Sequence, residues 1–239
     1  MGSVLDGVAR ELRVGGLTPF TSIDFPGRLS AVVYVQGCPL RCGYCHNPHL
    51  QQRRAGTAMR WAHVLDWLER RLGLIDGVVF SGGEPTVDPM LGQAIGQVRA
   101  LGFSIGLHTA GTHPRRLQAL LPDMDWIGLD IKAPLDDLAV YDGITGIRGS
   151  GIHAGACLQA VLDSGVAYEV RTTAHPLWLD EPALLKLAQG LVRRGARRFV
   201  LQIARSTAQQ SAPIVPDYPS PAAMRQLTGL FEHFSVRQA

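Results

Sequence analysis

The chain has 239 residues, and 23 Lys plus Arg against 20 Asp plus Glu leave a formal net charge of only +3, too small an excess to indicate nucleic-acid binding. With 46% hydrophobic and 18% charged residues the composition is that of a folded chain, and no run approaches the roughly 18 apolar residues of a membrane span. Residues 1–13 lack the apolar core of a secretory signal, and four cysteines, three of them bunched, argue against a disulfide scaffold and for a reducing, cytoplasmic compartment.

Apolar strand-like runs alternate with helical patterns. Ser30–Gln36 (SAVVYVQ) reads as a buried strand, and a loop with three cysteines follows it. Trp61, Val64, Leu65 and Leu68 recur at helical spacing. Gly77–Phe80 is the next strand, Leu91–Leu101 a helix, Phe103–His108 a strand and Pro114–Leu121 a short helix. Trp126–Ile131 is a strand, followed by a loop and a helix over Ala154–Asp163. Val166–Arg171 and Arg198–Ile203 are strands separated by a helix over Ala183–Arg194. Pro213, Pro216, Pro219 and Pro221 mark a loop before a last helix within 222–234. Six strands, each followed by a helix, predict parallel strands joined by right-handed crossovers. Periodicity does not separate an open doubly wound sheet from a whole or partial barrel. No linker interrupts the pattern, so one domain over residues 1–239 is expected, with its core at about 17–205.

The loop after the first strand reads Gly37-Cys38-Pro39-Leu40-Arg41-Cys42-Gly43-Tyr44-Cys45-His46-Asn47-Pro48, a C-x3-C-x2-C spacing. Three thiolates on one short loop converge on one metal centre, and thiolates suit Zn²⁺ or an iron–sulfur cluster. A structural zinc site needs a fourth protein ligand, here His46, His49 or the distant Cys157. A [4Fe–4S] cluster with three cysteines leaves one iron open.

This spacing, directly after the first strand of an α/β chain, resembles the radical SAM superfamily, and the resemblance covers roughly Leu17 to Ala204. It implies a partial (β/α)6 TIM-like barrel of parallel strands. It also implies that Cys38, Cys42 and Cys45 hold a [4Fe–4S] cluster whose open iron is chelated by the amino and carboxylate groups of S-adenosylmethionine (SAM). Tyr44 matches the family's aromatic residue near the cofactor adenine. Ser81-Gly82-Gly83-Glu84-Pro85 matches the GGE motif, which implies that Gly82, Gly83 and Glu84 meet the methionine amino group. Asp130-Ile131-Lys132 resembles a D-x-K element on the SAM side of the barrel. Glu169 and Arg171 share a strand face by alternation, either as a salt-bridged pair or as the polar floor of the SAM pocket, and Arg171 is taken as a cofactor contact.

A narrower resemblance adds Thr18–Gly27 (TPFTSIDFPG), the Cys45–Pro48 stretch, Gly128–Pro134 (GLDIKAP) and Glu169–Pro176 (EVRTTAHP). Together these look like activating proteins of anaerobic ribonucleoside-triphosphate reductase, and more broadly like activases of glycyl radical enzymes. The resemblance implies an oxidoreductase that reductively cleaves SAM to a 5′-deoxyadenosyl radical and so generates a glycyl radical on a partner enzyme. It implies a small electron-donor protein such as flavodoxin, and neither nucleic acid nor membrane as partner. The catalytic chemistry lies in the cluster and SAM, with no further catalytic side chain. Two departures stand out. His108-Thr109-Ala110-Gly111 replaces the usual Asp-Thr-Asn-Gly, and Leu201–Arg205 departs from Leu-Gln-x-Phe. His108 and His175 carry no assigned role, and Cys157 reads as a buried small residue. A radical SAM enzyme acting on a small molecule, similar to 7-carboxy-7-deazaguanine synthases, is the first alternative, and a zinc-binding module without activity the second. Of only two lysines among 23 basic residues, Lys186 lies on a predicted helix, and Lys132 is the one a site would keep.

Overall fold

The computed structural model describes residues 11–53, 59–204 and 218–238. Eight strands form one sheet in chain order: β1 Val14–Thr21, β2 Ser30–Val35, β3 Gly77–Gly82, β4 Ser104–Thr109, β5 Trp126–Asp130, β6 Ala167–Ala174, β7 Arg198–Ile203 and β8 His233–Gln238. β1 runs antiparallel to β2, and every later neighbour is parallel. The helices are α1 Trp61–Glu69, α2 Leu91–Ala100, α3 Pro114–Leu120, α4 Leu138–Thr145, α5 Ser150–Ser164, α6 Glu181–Arg193 and α7 Pro221–Leu230. Among the described residues β1 and β8 do not pair. This mainly parallel, helix-flanked sheet with two edges is a partial TIM-like barrel.

Strands β2 to β7 are the six expected from the sequence. The outer two strands are additions. β1 carries Gly15, Gly16 and Pro19 and pairs with register shifts, so it lacks the apolar run by which strands are read. At the other end, the helix expected over 222–234 stops at Leu230, and β8 follows. Phe231 and Phe234 sit three residues apart, which imitates a helix face. Both instead stack on Phe199 of β7, at 4.8 and 6.0 Å between ring centroids. The loop expected after β5 contains α4, capped by the Asp137 side chain and ended by Gly146 in the left-handed conformation (φ 66°). Pro213 and Pro216 lie outside the described residues, while Pro221 opens α7.

Alternation along the strands builds two different faces. Ala31, Val33 and Val35 of β2, Val78 and Phe80 of β3, Ile105 and Leu107 of β4, and Ile127 and Leu129 of β5 point to the helices. They join Val64, Leu68, Ile95, Leu158 and Leu187 in one continuous core. The other face is divided by height. Near the strand starts Phe25, Val32, Val79 and Trp126 form a small apolar plug. Gly77 and Gly106 make room for the Phe25 ring, which stacks on Trp126 at 5.8 Å. Toward the strand ends the same face becomes polar: Ser81, His108, Asp130, Arg171 and Thr173. The sheet is thus closed with apolar packing below and open to charge above, where α/β barrels carry their sites.

Candidate active site

The ends of β2 to β6 open onto a solvent-open cleft of about 850 Å³, part of it bulk solvent. Cys38, Cys42 and Cys45 line it together with Tyr44, Gly82, Gly83, Asp130, Lys132 and Arg171. Of the cluster and cofactor contacts expected from the sequence, Glu84 alone lies outside the lining.

The cysteine loop is shaped by backbone bonds to the Leu50–Gln51 segment, to the end of α4 and to the turn at Glu84. Gly37 leaves β2 at φ 110°. Its N–H donates to the Leu50 carbonyl at 2.8 Å, and the Cys38 N–H donates to Gln51 at 3.1 Å. The Arg41 N–H donates to the Thr145 carbonyl at the end of α4, at 2.7 Å. The Arg41 guanidinium turns inward and donates to the carbonyls of Cys38 and Leu40, both at 2.8 Å, so the loop wraps around its own arginine. Nothing in the sequence marks Arg41 for this task. The three thiols are free and half-buried. Burial, with the Glu84 carboxylate nearby, pushes Cys38 up to about 12. Burial also raises Cys42.

Glu84 explains the GGE turn in a different way from a direct ligand contact. Its side chain is fully buried. Oε1 accepts from the Thr86 N–H (3.1 Å), the Thr86 hydroxyl (2.6 Å) and the Thr109 hydroxyl (2.7 Å), and Oε2 accepts from the Ala110 N–H at 2.7 Å. Desolvation raises its pKa even against those bonds. Glu84 therefore ties the end of β3 to the end of β4 and places Thr109 and Ala110 on the cleft wall. The two glycines before it permit close approach. A Cβ on Gly83 would lie 2.4 Å from the Gly37 carbonyl oxygen, and one on Gly82 (φ 126°) 2.3 Å from the Val35 nitrogen.

The charged floor comes from β5 and β6. Asp130 and Arg171 face each other in register, with Arg171 Nε donating to Asp130 Oδ1 at 2.9 Å. Lys132 Nζ lies 3.7 Å from Asp130 Oδ2. Burial would raise Asp130, but Arg171 and Lys132 outweigh it and hold the carboxyl below the usual range. Burial would lower Lys132, but Tyr44, Cys42 and Asp130 outweigh it and keep the ammonium charged. Gly128 leaves space for the guanidinium, since a Cβ there would lie 2.7 Å from Arg171 Cζ. Of the two readings of Glu169 and Arg171, the salt-bridged pair does not form, and of the polar floor Arg171 alone is part. Glu169 instead accepts two bonds from Arg237 of β8, at 2.8 and 3.0 Å, and does not line the cleft.

Five further positions complete the comparison with the sequence reading. His108 lines the cleft, and its Nε2 lies 2.9 Å from the Asp24 carbonyl. A carbonyl only accepts, so Nε2 carries the proton. Burial, then Arg171, pushes His108 down to about 3, so the ring is neutral. Tyr44 is buried between His175, stacked at 6.4 Å, and the Lys132 ammonium, 5.8 Å from its ring centre. Thr173 lines the cleft and follows from alternation two residues beyond Arg171. Gln51 also lines it, from the segment bonded to the cysteine loop, and no periodicity announces it. Cys157 is buried against Gly111.

The donor set fits an iron–sulfur cluster. Three free thiols from one loop face a cleft that also presents a fixed anion and a fixed cation.

Residues 32–188 match the model of the radical SAM superfamily, and the chain belongs to that superfamily. It is a radical SAM oxidoreductase with a [4Fe–4S] and SAM cofactor system. A protein of Methanocaldococcus jannaschii, provisionally named a glycyl-radical enzyme activating enzyme, is 29% identical over 185 residues, 74% of each chain. The pyruvate formate-lyase-activating enzyme of Clostridium pasteurianum is 30% identical over 186 residues, 76% of each chain. Among solved structures, Streptococcus suis SuiB bound to its precursor peptide SuiA superposes with TM-score 0.66 and 16% identity over 86% of this chain. This chain spans 48% of the length of SuiB. QueE from Escherichia coli superposes with TM-score 0.58 and 15% identity over 96% of this chain and 95% of its own. Both structural likenesses concern the fold.

Proposed function

We propose that this protein is an activase of a glycyl radical enzyme, and that its partner is anaerobic ribonucleoside-triphosphate reductase. The observation that supports the reading is similarity to two proteins named as activating enzymes over about three quarters of both chains. Cys38, Cys42 and Cys45 would hold the cluster. The Gly82-Gly83 backbone would receive the amino group of SAM at the edge that Glu84 braces. Lys132 is a compact cation suited to its carboxylate, Asp130 is held ionised beside it, Arg171 keeps Asp130 in place, and Tyr44 borders the adenine side. When bound, cluster and SAM supply a 5′-deoxyadenosyl radical able to take hydrogen from a glycine α-carbon, given one electron from a small donor such as flavodoxin. The chain's own residues orient and exclude: the Phe25–Trp126 plug keeps water from entering from below, and neutral His108 adds no charge to the wall.

The test is anaerobic incubation of the reconstituted protein with SAM, a reductant and the reductase, followed by electron paramagnetic resonance. A glycyl radical signal on the reductase is expected. SAM cleavage without that signal points instead to a small-molecule substrate of the 7-carboxy-7-deazaguanine synthase kind, and absence of iron and sulfide refutes both.

A further inference from the structure

The outer side of the cysteine loop is covered by a segment the mechanism does not use. After β6 the chain turns at His175–Trp178. The N–H groups of Trp178 and Leu179 both donate to the His175 carbonyl, at 3.0 and 2.9 Å. The Leu177 N–H donates to His175 Nδ1 at 3.2 Å, so the histidine closes its own turn. Its ring stacks on Tyr44, two degrees of anchoring in one side chain. At the tip, the Trp178 indole lies directly on Gly43, inside the C-x2-C pair. A Cβ on Gly43 would be 2.0 Å from Trp178 Cζ2 and 2.6 Å from Cε2, so only glycine admits the ring. The Tyr218 hydroxyl, donating to the Leu179 carbonyl, holds the turn from behind. Trp178 remains 37% exposed and is not among the residues lining the cleft. It therefore covers the loop from the solvent side, away from the cleft.

We infer that Trp178, seated on Gly43, is a positioning residue that keeps the cysteine loop closed and limits access of water, chelators and oxidants to Cys42 and Cys45. The apolar shell around a metal–thiolate centre sets solvent access to it, and the indole is the part of that shell that the β6–α6 connection supplies. The inference rests on the reading that this loop holds the cluster.

Thiol accessibility in the metal-free full chain and cluster lifetime in the reconstituted chain test it separately. Trp178→Ala is expected to speed iodoacetamide labelling of Cys42 and Cys45 by about two- to tenfold, the opening that follows loss of one aromatic contact, while buried Cys157 stays protected. The visible absorbance of the cluster should decay faster by a similar factor under a chelator. Trp178→Phe should restore most of the protection. Gly43→Ala, which displaces the ring, should reproduce the defect, and the double variant should be no worse than the worse single one. Unchanged labelling and unchanged cluster lifetime in Trp178→Ala would overturn the inference, as would strictly additive effects of the two substitutions. If the wild-type chain takes up no cluster, the cofactor reading fails, and the labelling rates still decide whether Trp178 covers the loop.

Discussion

Asp130 has two cations and one negative charge to share between them. Arg171 is bonded to it at 2.9 Å and Lys132 stands at 3.7 Å, so the lysine is the looser partner and the one free to turn toward a ligand carboxylate. Lys132→Met keeps the stem and removes the charge. SAM cleavage should fall about 10- to 100-fold, the loss of one charge-assisted contact, with cluster absorbance intact; unchanged turnover would remove Lys132 from the site. Cys42→Ala should abolish cluster assembly, because no spare thiol lines the cleft and Cys157 is buried elsewhere; iron and sulfide analysis after anaerobic reconstitution checks this. His108 is pushed down to about 3, below its unfolded value of roughly 6.5. Between those values the unfolded chain binds the proton and the folded chain does not. Its burial thus leaves stability untouched above about pH 7 and lowers it as pH falls through 6.5. Urea melts of His108→Gln should show a shallower loss of stability between pH 7 and 5 than the wild type, and equal slopes would contradict the assignment. The Cys-x3-Cys-x2-Cys spacing was readable at this scale because its ligands are local. The service of Arg41 was not, since an arginine that folds back on its own loop looks like any surface arginine.

At the scale of elements, the site is a set of strand ends glued together by backbone. The Gly83 N–H donates to the Val35 carbonyl at 3.0 Å and the Glu84 N–H to the Gly37 carbonyl at 2.9 Å, so the GGE turn and the cysteine loop are one unit. Gly83→Ala forces a Cβ against the Gly37 carbonyl. It should cost about 1–3 kcal/mol, as overpacking does, and should lower cluster occupancy while far-ultraviolet circular dichroism stays native. The sequence placed the motif after the correct strand. It did not reveal that Glu84 turns away from the cleft, because a carboxylate at a strand end looks exposed until the adjacent strand supplies hydroxyl and amide donors. Likewise β1 and β8 went unread. They are edge strands, only one neighbour buries them, and they carry polar residues, glycine or proline where a central strand carries valine.

Across the whole molecule, β8 completes the polar interior from the far edge of the sheet. Arg237 bridges to Glu169 on β6, whose side chain is 8% exposed. Arg237→Ala would leave that carboxylate without its guanidinium and should cost about 1–3 kcal/mol. Adding Glu169→Gln should recover part of the loss, and urea midpoints of the single and double variants measure both. An open, mainly parallel sheet of this kind leaves the cleft accessible to a loop of a large partner, which the proposed activity requires.

By itself the sequence determined that three thiols gather on one loop and that six strands alternate with helices, and the chemistry followed from the family these motifs resemble. Thiolate spacing, strand-end motifs and βα alternation are local patterns, and local patterns survive in one dimension, whereas the order of the strands in the sheet was decided by the tertiary structure. Only the tertiary structure decided how the charges pair. Glu169 and Arg171 share a face, yet neighbours two apart on one strand are farther from each other than residues opposite across a ladder. The register sets Arg171 opposite Asp130 and Glu169 opposite Gly128. Arg171 therefore finds its carboxylate on β5, and Glu169, facing a glycine, takes its cation from β8.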